Sequence, residues 1–192
     1  MTLPILNINL NVDKDQLIKE SKLCDYVPVN RLVLRKVKNR GYKTTNKIPD
    51  YVNEADKEWW WKQRSWQTSV PADSIKLEEM PETCRITSLF QDIIGSNNIE
   101  PNFFTQQKNT EVKMHKDVGI KCAINFILQG KETPIEFEDY GKFYYQNALL
   151  DITQKHSVPL QIGVDRLVFK LRILDKDYTE CREKIYNFFQ KN

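Results

Sequence analysis

The sequence predicts a mostly β protein with flanking helices, and three observations predict it. Six short extended segments crowd the second half of the chain. Their spacing is that of an all-β sandwich or barrel. A strongly periodic helical segment precedes them, and an amphipathic one follows.

Taken in order, residues 1–12 alternate weakly, with Ile5, Ile8, Leu10 and Val12 apolar, and read as a strand or extended arm. Asp13 or Asp15 is placed to cap a short helix carrying Leu17, Ile18 and Leu23. Arg31 to Val37 (RLVLRKV) reads as a strand and Gly41 as a turn. Residues 42–58 are polar and read as loop. Trp59, Trp60, Trp61 and Trp66 crowd near a helical stretch, and Pro71 to Pro81 is a connection. From Thr83 to Ile94, the residues Ile86, Leu89, Phe90, Ile93 and Ile94 share one helical face, and Gly95 stands at the stop position. The extended segments are Asn102–Gln107, Glu111–His115, Cys122–Gln129, Ile135–Glu138, Phe143–Asp151 and Arg166–Ile173. Turn signals separate them at Lys108-Asn109, Asp117 to Gly119, Gly130, Tyr140-Gly141, Pro159 and Gly163. Tyr178 to Phe189 forms the closing helix. Residues 1–98 thus read as a mixed α/β region packing on a core of residues 99–192, the whole making one compact domain.

Bulk properties exclude several classes. At 192 residues the chain can bury a core without staples. With 40% hydrophobic and 29% charged residues it has the composition of a globular protein, not a disordered one. No apolar run approaches a membrane span, and no secretory signal opens the sequence. Cys24, Cys84, Cys122 and Cys181 lie far apart without a CxxC pair, which suits thiols in a reducing cytosol better than a zinc site. A cytoplasmic location is expected. A formal charge of +3 falls well short of a nucleic-acid footprint.

The chain has only two histidines. His115 ends one extended segment, in KMHKDVG, and Asp117 follows two positions on. Alternate residues of an extended chain share a face, so both can reach one ion. His156 follows LLDITQK, far enough along for several strands to turn back. Two imidazoles and one carboxylate on one side of a metal leave the opposite positions open, as in non-haem Fe(II) oxygenases. Arg166 follows ten residues after His156, on the strand GVDRLVFKLRI. Its guanidinium fork suits a carboxylate held bidentately. HxD alone is weak, since a lone histidine is usually a surface or satisfied core residue. The conjunction of both histidines, the β context and the arginine carries the reading.

The segment from Phe103 to Ile173 resembles the catalytic core of the Fe(II)/2-oxoglutarate-dependent dioxygenases. The resemblance rests on the HxD…H…R pattern (His115, Asp117, His156, Arg166) and on the flanking FFTQQKNTEVKMHKD, CAINFIL and LLDITQKHSV. The run into His156 and the basic strand after it are similar to the prolyl and aspartyl/asparaginyl hydroxylase branches. The resemblance implies a double-stranded β-helix, a jelly roll, with Fe(II) held by His115, Asp117 and His156 at one open end. It also implies 2-oxoglutarate chelating the iron, with its far carboxylate on Arg166, and O2 as oxidant. Succinate and CO2 would be formed while a C–H bond of a peptide, protein or amino-acid-like substrate is hydroxylated. Asp117 argues against halogenation, because halogenating relatives lack this carboxylate. A zinc hydrolase would leave Arg166 without a role.

Further residues are open to two readings. Asn125 lies on the strand face opposite Cys122, Ile124 and Phe126, placed either to bond the cosubstrate or to meet solvent. Tyr145 and Asn147 are candidates to line the pocket, whereas Tyr144 belongs to the other face. Arg166, Lys170 and Arg172 share a face, which is costly unless each cation is paired; Lys170 is the alternative anchor. The arginine spacing is similar to that of AlkB-like nucleic-acid demethylases, but the residues between differ. A non-catalytic jelly-roll binding module is the remaining alternative. The Trp cluster reads first as a hydrophobic flap. The basic run Arg31, Arg35, Lys36, Lys38, Arg40, Lys43 reads as a solvated strand edge.

Overall fold

The computed structural model describes residues 2–28, 35–36, 42–43, 66–70, 79–117, 119–130 and 133–191. In chain order the elements are β1 (Ile5–Asn7), α1 (Lys14–Ser21), β2 (Asp25–Pro28), β3 (Arg35–Lys36), β4 (Tyr42–Lys43), β5 (Trp66–Val70) and α2 (Pro81–Ile94). There follow β6 (Ile99–Gln106), β7 (Thr110–His115), β8 (Cys122–Gln129), β9 (Ile135–Phe137), β10 (Gly141–Phe143), β11 (Asn147–Leu150), β12 (His156–Gln161), β13 (Arg166–Ile173) and α3 (Tyr178–Lys191). Trp59, Trp60 and Trp61 lie outside the described residues, as does most of the RLVLRKV segment; its Arg35 and Lys36 pair with Lys43 and Tyr42.

From β6 onward the chain passes back and forth between two antiparallel sheets. The larger has the order β1-β11-β8-β13-β6-β5-β2, the smaller β10-β9-β12-β7. The first strand of this half, β6, lies beside the last, β13, in unbroken register from Ile99↔Ile173 to Gln106↔Arg166. The fold is a jelly roll. Strands β1, β5 and β2 extend its larger sheet on both edges.

The larger sheet is covered on both faces, so its central strands are buried over most of their length, as in CAINFILQ of β8, where only Asn125 and Gln129 are not. One face meets the helices. There Cys122, Ile124, Phe126 and Leu128 of β8 and Leu167, Phe169, Leu171 and Ile173 of β13 join Leu17 of α1, Ile86, Phe90 and Ile94 of α2, and Cys181 and Ile185 of α3. Phe126 stacks on Phe169 at 5.7 Å between ring centroids. Each such buried side chain contributes about 1.5–3 kcal/mol. The other face meets the smaller sheet through Ala123, Ile127, Val168, Ala148 and Leu150, against Ile135 and Phe137.

The helices are clasped to one another at their ends. Asp13 caps α1 by accepting from Gln16 N at 2.9 Å. Leu23 lies beyond that helix and is exposed. Helix α2 opens with Met80 at its N-cap, which offers no side-chain hydrogen bond. Its orphan donors are met from outside: the buried Glu20 carboxylate of α1 accepts from Glu82 N at 2.9 Å, Thr83 N at 2.8 Å and Thr83 Oγ1 at 2.7 Å. Glu82 returns the favour by accepting from Asp13 N at 2.9 Å.

Several described segments differ from the sequence expectation: Trp66, read beside a helical stretch, opens strand β5, and Tyr42–Lys43, read as loop, pair as β4. His156–Gln161 is a strand, where the sequence suggested a loop broken at Pro159. The register of β12 shifts around Val158, and proline is tolerated at such irregularities. Phe143–Asp151 divides into β10 and β11, because the chain crosses there from the smaller sheet to the larger. Strand β6 starts at Ile99 despite Pro101, since β5 pairs only with Phe104 to Gln106 and leaves Pro101 no ladder on that side.

Candidate metal centre

His115 is the last residue of β7 and His156 the first of β12, and they are direct cross-strand partners. Their rings stand 4.4 Å apart. Simple alternation from the buried Val112 would turn His115 outward. The register prevents this: Val112 faces Val158 while His115 faces His156, so β7 spends one more residue than β12 over the interval. This bulge points both Val112 and His115 inward, as bulges commonly re-aim side chains beside active sites. A cleft of about 370 Å³ adjoins it, lined by Glu111, Val112, Lys113, Met114, Ser157 and Val158. Asp117 follows in the turn, fixed by its N–H donating to Ile152 O at 3.1 Å.

The ligand atoms of His115, Asp117 and His156 all lie within 4.8 Å of one another. His115 Nε2 is 3.4 Å from Asp117 Oδ1. His115 Nδ1 lies 2.7 Å from Lys113 O and His156 Nδ1 lies 2.9 Å from Gln154 O. A carbonyl can only accept, so each Nδ1 carries a proton and each Nε2 is the ring nitrogen turned to the site. Burial, then the neighbouring His115, pushes His156 down to about 4. Burial raises the Asp117 carboxyl, but the Lys170 ammonium and the neighbouring His115 ring outweigh it and hold it well below the usual carboxylate range. A neutral His156 and an ionised Asp117 are the protonation states that metal binding requires of these two groups.

The inner face of the large sheet carries polar groups of its own, one of which reaches the triad. Arg166, 3% exposed, donates from Nη2 to Tyr145 OH at 3.1 Å. Asn125 donates from Nδ2 to the same oxygen at 3.1 Å. Lys170 donates to Asp117 Oδ2 at 2.9 Å, so it stands with the triad and not with Arg166. Arg172 pairs with Glu100 at 2.7 Å. The three cations that share a face of β13 therefore each have a partner. Asn147 bonds Leu10 O on the helix side and does not line this space; Tyr144 is exposed. Sequence reasoning missed Gln106, the cross-strand partner of Arg166; its alternation with Phe104 on the inner face was the available signal. Arg166 Nε, Asn125 Oδ1 and Gln106 Oε1 are buried without a hydrogen-bond partner among the described residues.

No protein-family model and no curated protein sequence matches the chain. Among solved structures it is similar to an oxidoreductase of the 2OG-Fe(II) oxygenase family from Burkholderia pseudomallei, at 10% identity and a TM-score of 0.47, over 82% of this chain and 76% of that one. It is similar to an RmlC-like cupin protein from Desulfovibrio desulfuricans at 18% identity and a TM-score of 0.30, over 39% of this chain and 73% of the other. It is similar to a DMSP lyase at 7% identity and a TM-score of 0.35, covering 41% of this chain and spanning only 40% of that lyase.

Proposed function

We propose that the chain is a non-haem iron dioxygenase that uses 2-oxoglutarate to hydroxylate a C–H bond of a protein or peptide side chain, or of an amino-acid-like small molecule. One observation carries the reading: the preorganised His115–Asp117–His156 triad is joined through Lys170 to the face of β13 and β8 that carries the hydrogen-bonded Arg166–Tyr145–Asn125 group, which still has unused hydrogen-bonding capacity.

The residues present fit both groups. The triad offers two nitrogen lone pairs and a carboxylate oxygen, a donor set that suits Fe(II). The orphaned Arg166 Nε fits an anion, because an unpaired buried guanidinium edge is costly until one arrives. Iron, with O2 and 2-oxoglutarate, would supply the oxidising chemistry, giving succinate and CO2.

The chain's own residues bind and orient. Arg166 presents its fork to the far carboxylate of the cosubstrate. The Tyr145 oxygen already accepts from Arg166 and Asn125, so its own proton remains to be donated to that carboxylate. The apolar wall of Ile127, Val168, Ile135 and Phe137 keeps water from this pair and strengthens its electrostatics. Asp117 is held ionised and fixed by its backbone hydrogen bond.

A cytoplasmic setting belongs to the same reading; none of the four cysteines is in a disulfide, and no helix among the described residues is long and apolar enough to cross a membrane. A nucleic-acid substrate is the less favoured reading, because Arg172 is engaged with Glu100.

The test is anaerobic titration with Fe(II) and 2-oxoglutarate, following the weak visible charge-transfer band of the chelate. The band should form with the wild type and vanish in His115→Ala. Iron binding without the band would leave a metal site that does not use 2-oxoglutarate.

A further inference from the structure

The two oxygens of Asp117 face different partners. Oδ1 looks toward His115 Nε2 at 3.4 Å, on the side where an ion would be held. Oδ2 accepts from Lys170 Nζ at 2.9 Å, and both side chains are largely shielded, 17% and 20% exposed. Lys170 arrives from β13, across the interior from the strands that carry the histidines, and its neighbours on that sheet, Asn102 and Asn125, are uncharged. With the imidazoles neutral, as ligation requires, the carboxylate and the ammonium already cancel. A divalent ion entering this group meets a ligand whose charge is shared with a cation that cannot leave. The filled centre then carries two positive charges in shielded surroundings, where like charges are poorly screened.

We propose that Lys170 is a built-in counter-ion that weakens the centre for a bare divalent ion and makes firm occupancy depend on an anionic co-ligand, so that metal and oxoacid bind as a coupled pair. The proposal rests on the metal-centre reading above and adds a role for a residue outside the triad. A carboxylate bound at the metal removes one of the surplus charges. Lys170 is therefore a positioning and charge-setting residue, and Arg166 is left to hold the far end of the oxoacid. By linkage the effect is reciprocal: the anion tightens the metal by the factor by which the metal tightens the anion.

The experiment is titration of the metal-free, full-length protein with Mn(II), following the electron paramagnetic resonance of the free ion, with and without 2-oxoglutarate. Wild type, Lys170→Met and Lys170→Arg are compared, and thermal melts establish that each is folded. Lys170→Met should bind Mn(II) alone more tightly than wild type by on the order of tenfold, and should gain less from 2-oxoglutarate. Lys170→Arg keeps the charge and should follow wild type on both counts. The proposal is overturned if Lys170→Met binds Mn(II) alone no more tightly, or gains as much from 2-oxoglutarate as wild type does; in that case the triad still stands as a metal site. If neither wild type nor Lys170→Met binds Mn(II), the proposal falls together with the metal-centre reading.

Discussion

Gly130 presses against Arg166. A Cβ at residue 130 would stand 3.2 Å from Arg166 Cα, 3.3 Å from its Cβ and 3.4 Å from its Cγ, and Gly130 has φ +118°. Any larger residue must both strain the backbone and push the arginine. Gly130→Ala is therefore expected to raise the dissociation constant for 2-oxoglutarate about tenfold, with Mn(II) affinity unchanged. Paired calorimetric titrations of the two ligands check the split; equal losses for both would point to general unfolding.

Asp117→Ala should remove metal binding altogether, because it takes the only carboxylate from the triad and leaves Lys170 without a counter-ion. The metal-free variant should also lose about 1–3 kcal/mol of stability from that unpaired, shielded donor. Denaturant unfolding in the presence of a chelator measures this separately from metal binding.

Acid should destabilise the metal-free protein earlier than an ordinary carboxylate would. His156 is held neutral down to about 4, whereas in the unfolded chain it protonates near its ordinary value of 6.5. Between those values the unfolded state binds more protons, so stability falls as pH falls through that window, by about 3 kcal/mol at most. The lowered Asp117 adds stability that is lost only in stronger acid. Urea midpoints from pH 7.5 to 4.5 should slope downward, and His156→Gln should flatten the slope.

Glu20→Ala should cost about 2–4 kcal/mol, since it strands two buried backbone donors and a hydroxyl at the start of α2. The metal centre is built on other elements, so Mn(II) affinity should hold in the folded fraction. Unfolding midpoints and metal titration together decide it.

What the sequence made legible was residue type at short range. The alternation of Arg166, Val168, Lys170 and Arg172 with Leu167, Phe169, Leu171 and Ile173 identified the two faces of β13, and the closing strand was bounded correctly at both ends. The triad residues could be nominated because histidine is so scarce here. Other features depend on register that no local pattern encodes. The bulge that turns His115 inward shows only when β7 is laid against β12. The strand that starts at His156 was hidden by Pro159. Lys170 meets Asp117, and Glu20 meets Thr83, across 53 and 63 positions of sequence. Gln106 gains meaning only as the neighbour of Arg166.

The two-sided construction of β13 bears on how this protein can change over generations. Its odd-numbered residues are locked among three helices, where a substitution is felt as lost stability; of its even-numbered residues, Val168 belongs to the core between the sheets, while Arg166 and Lys170 carry the polar contacts, where a substitution should be felt first at the site. A saturation library across Arg166 to Ile173 should therefore show two interleaved selection regimes. The polar positions Arg166 and Lys170 are then open to change without disturbing a packed core.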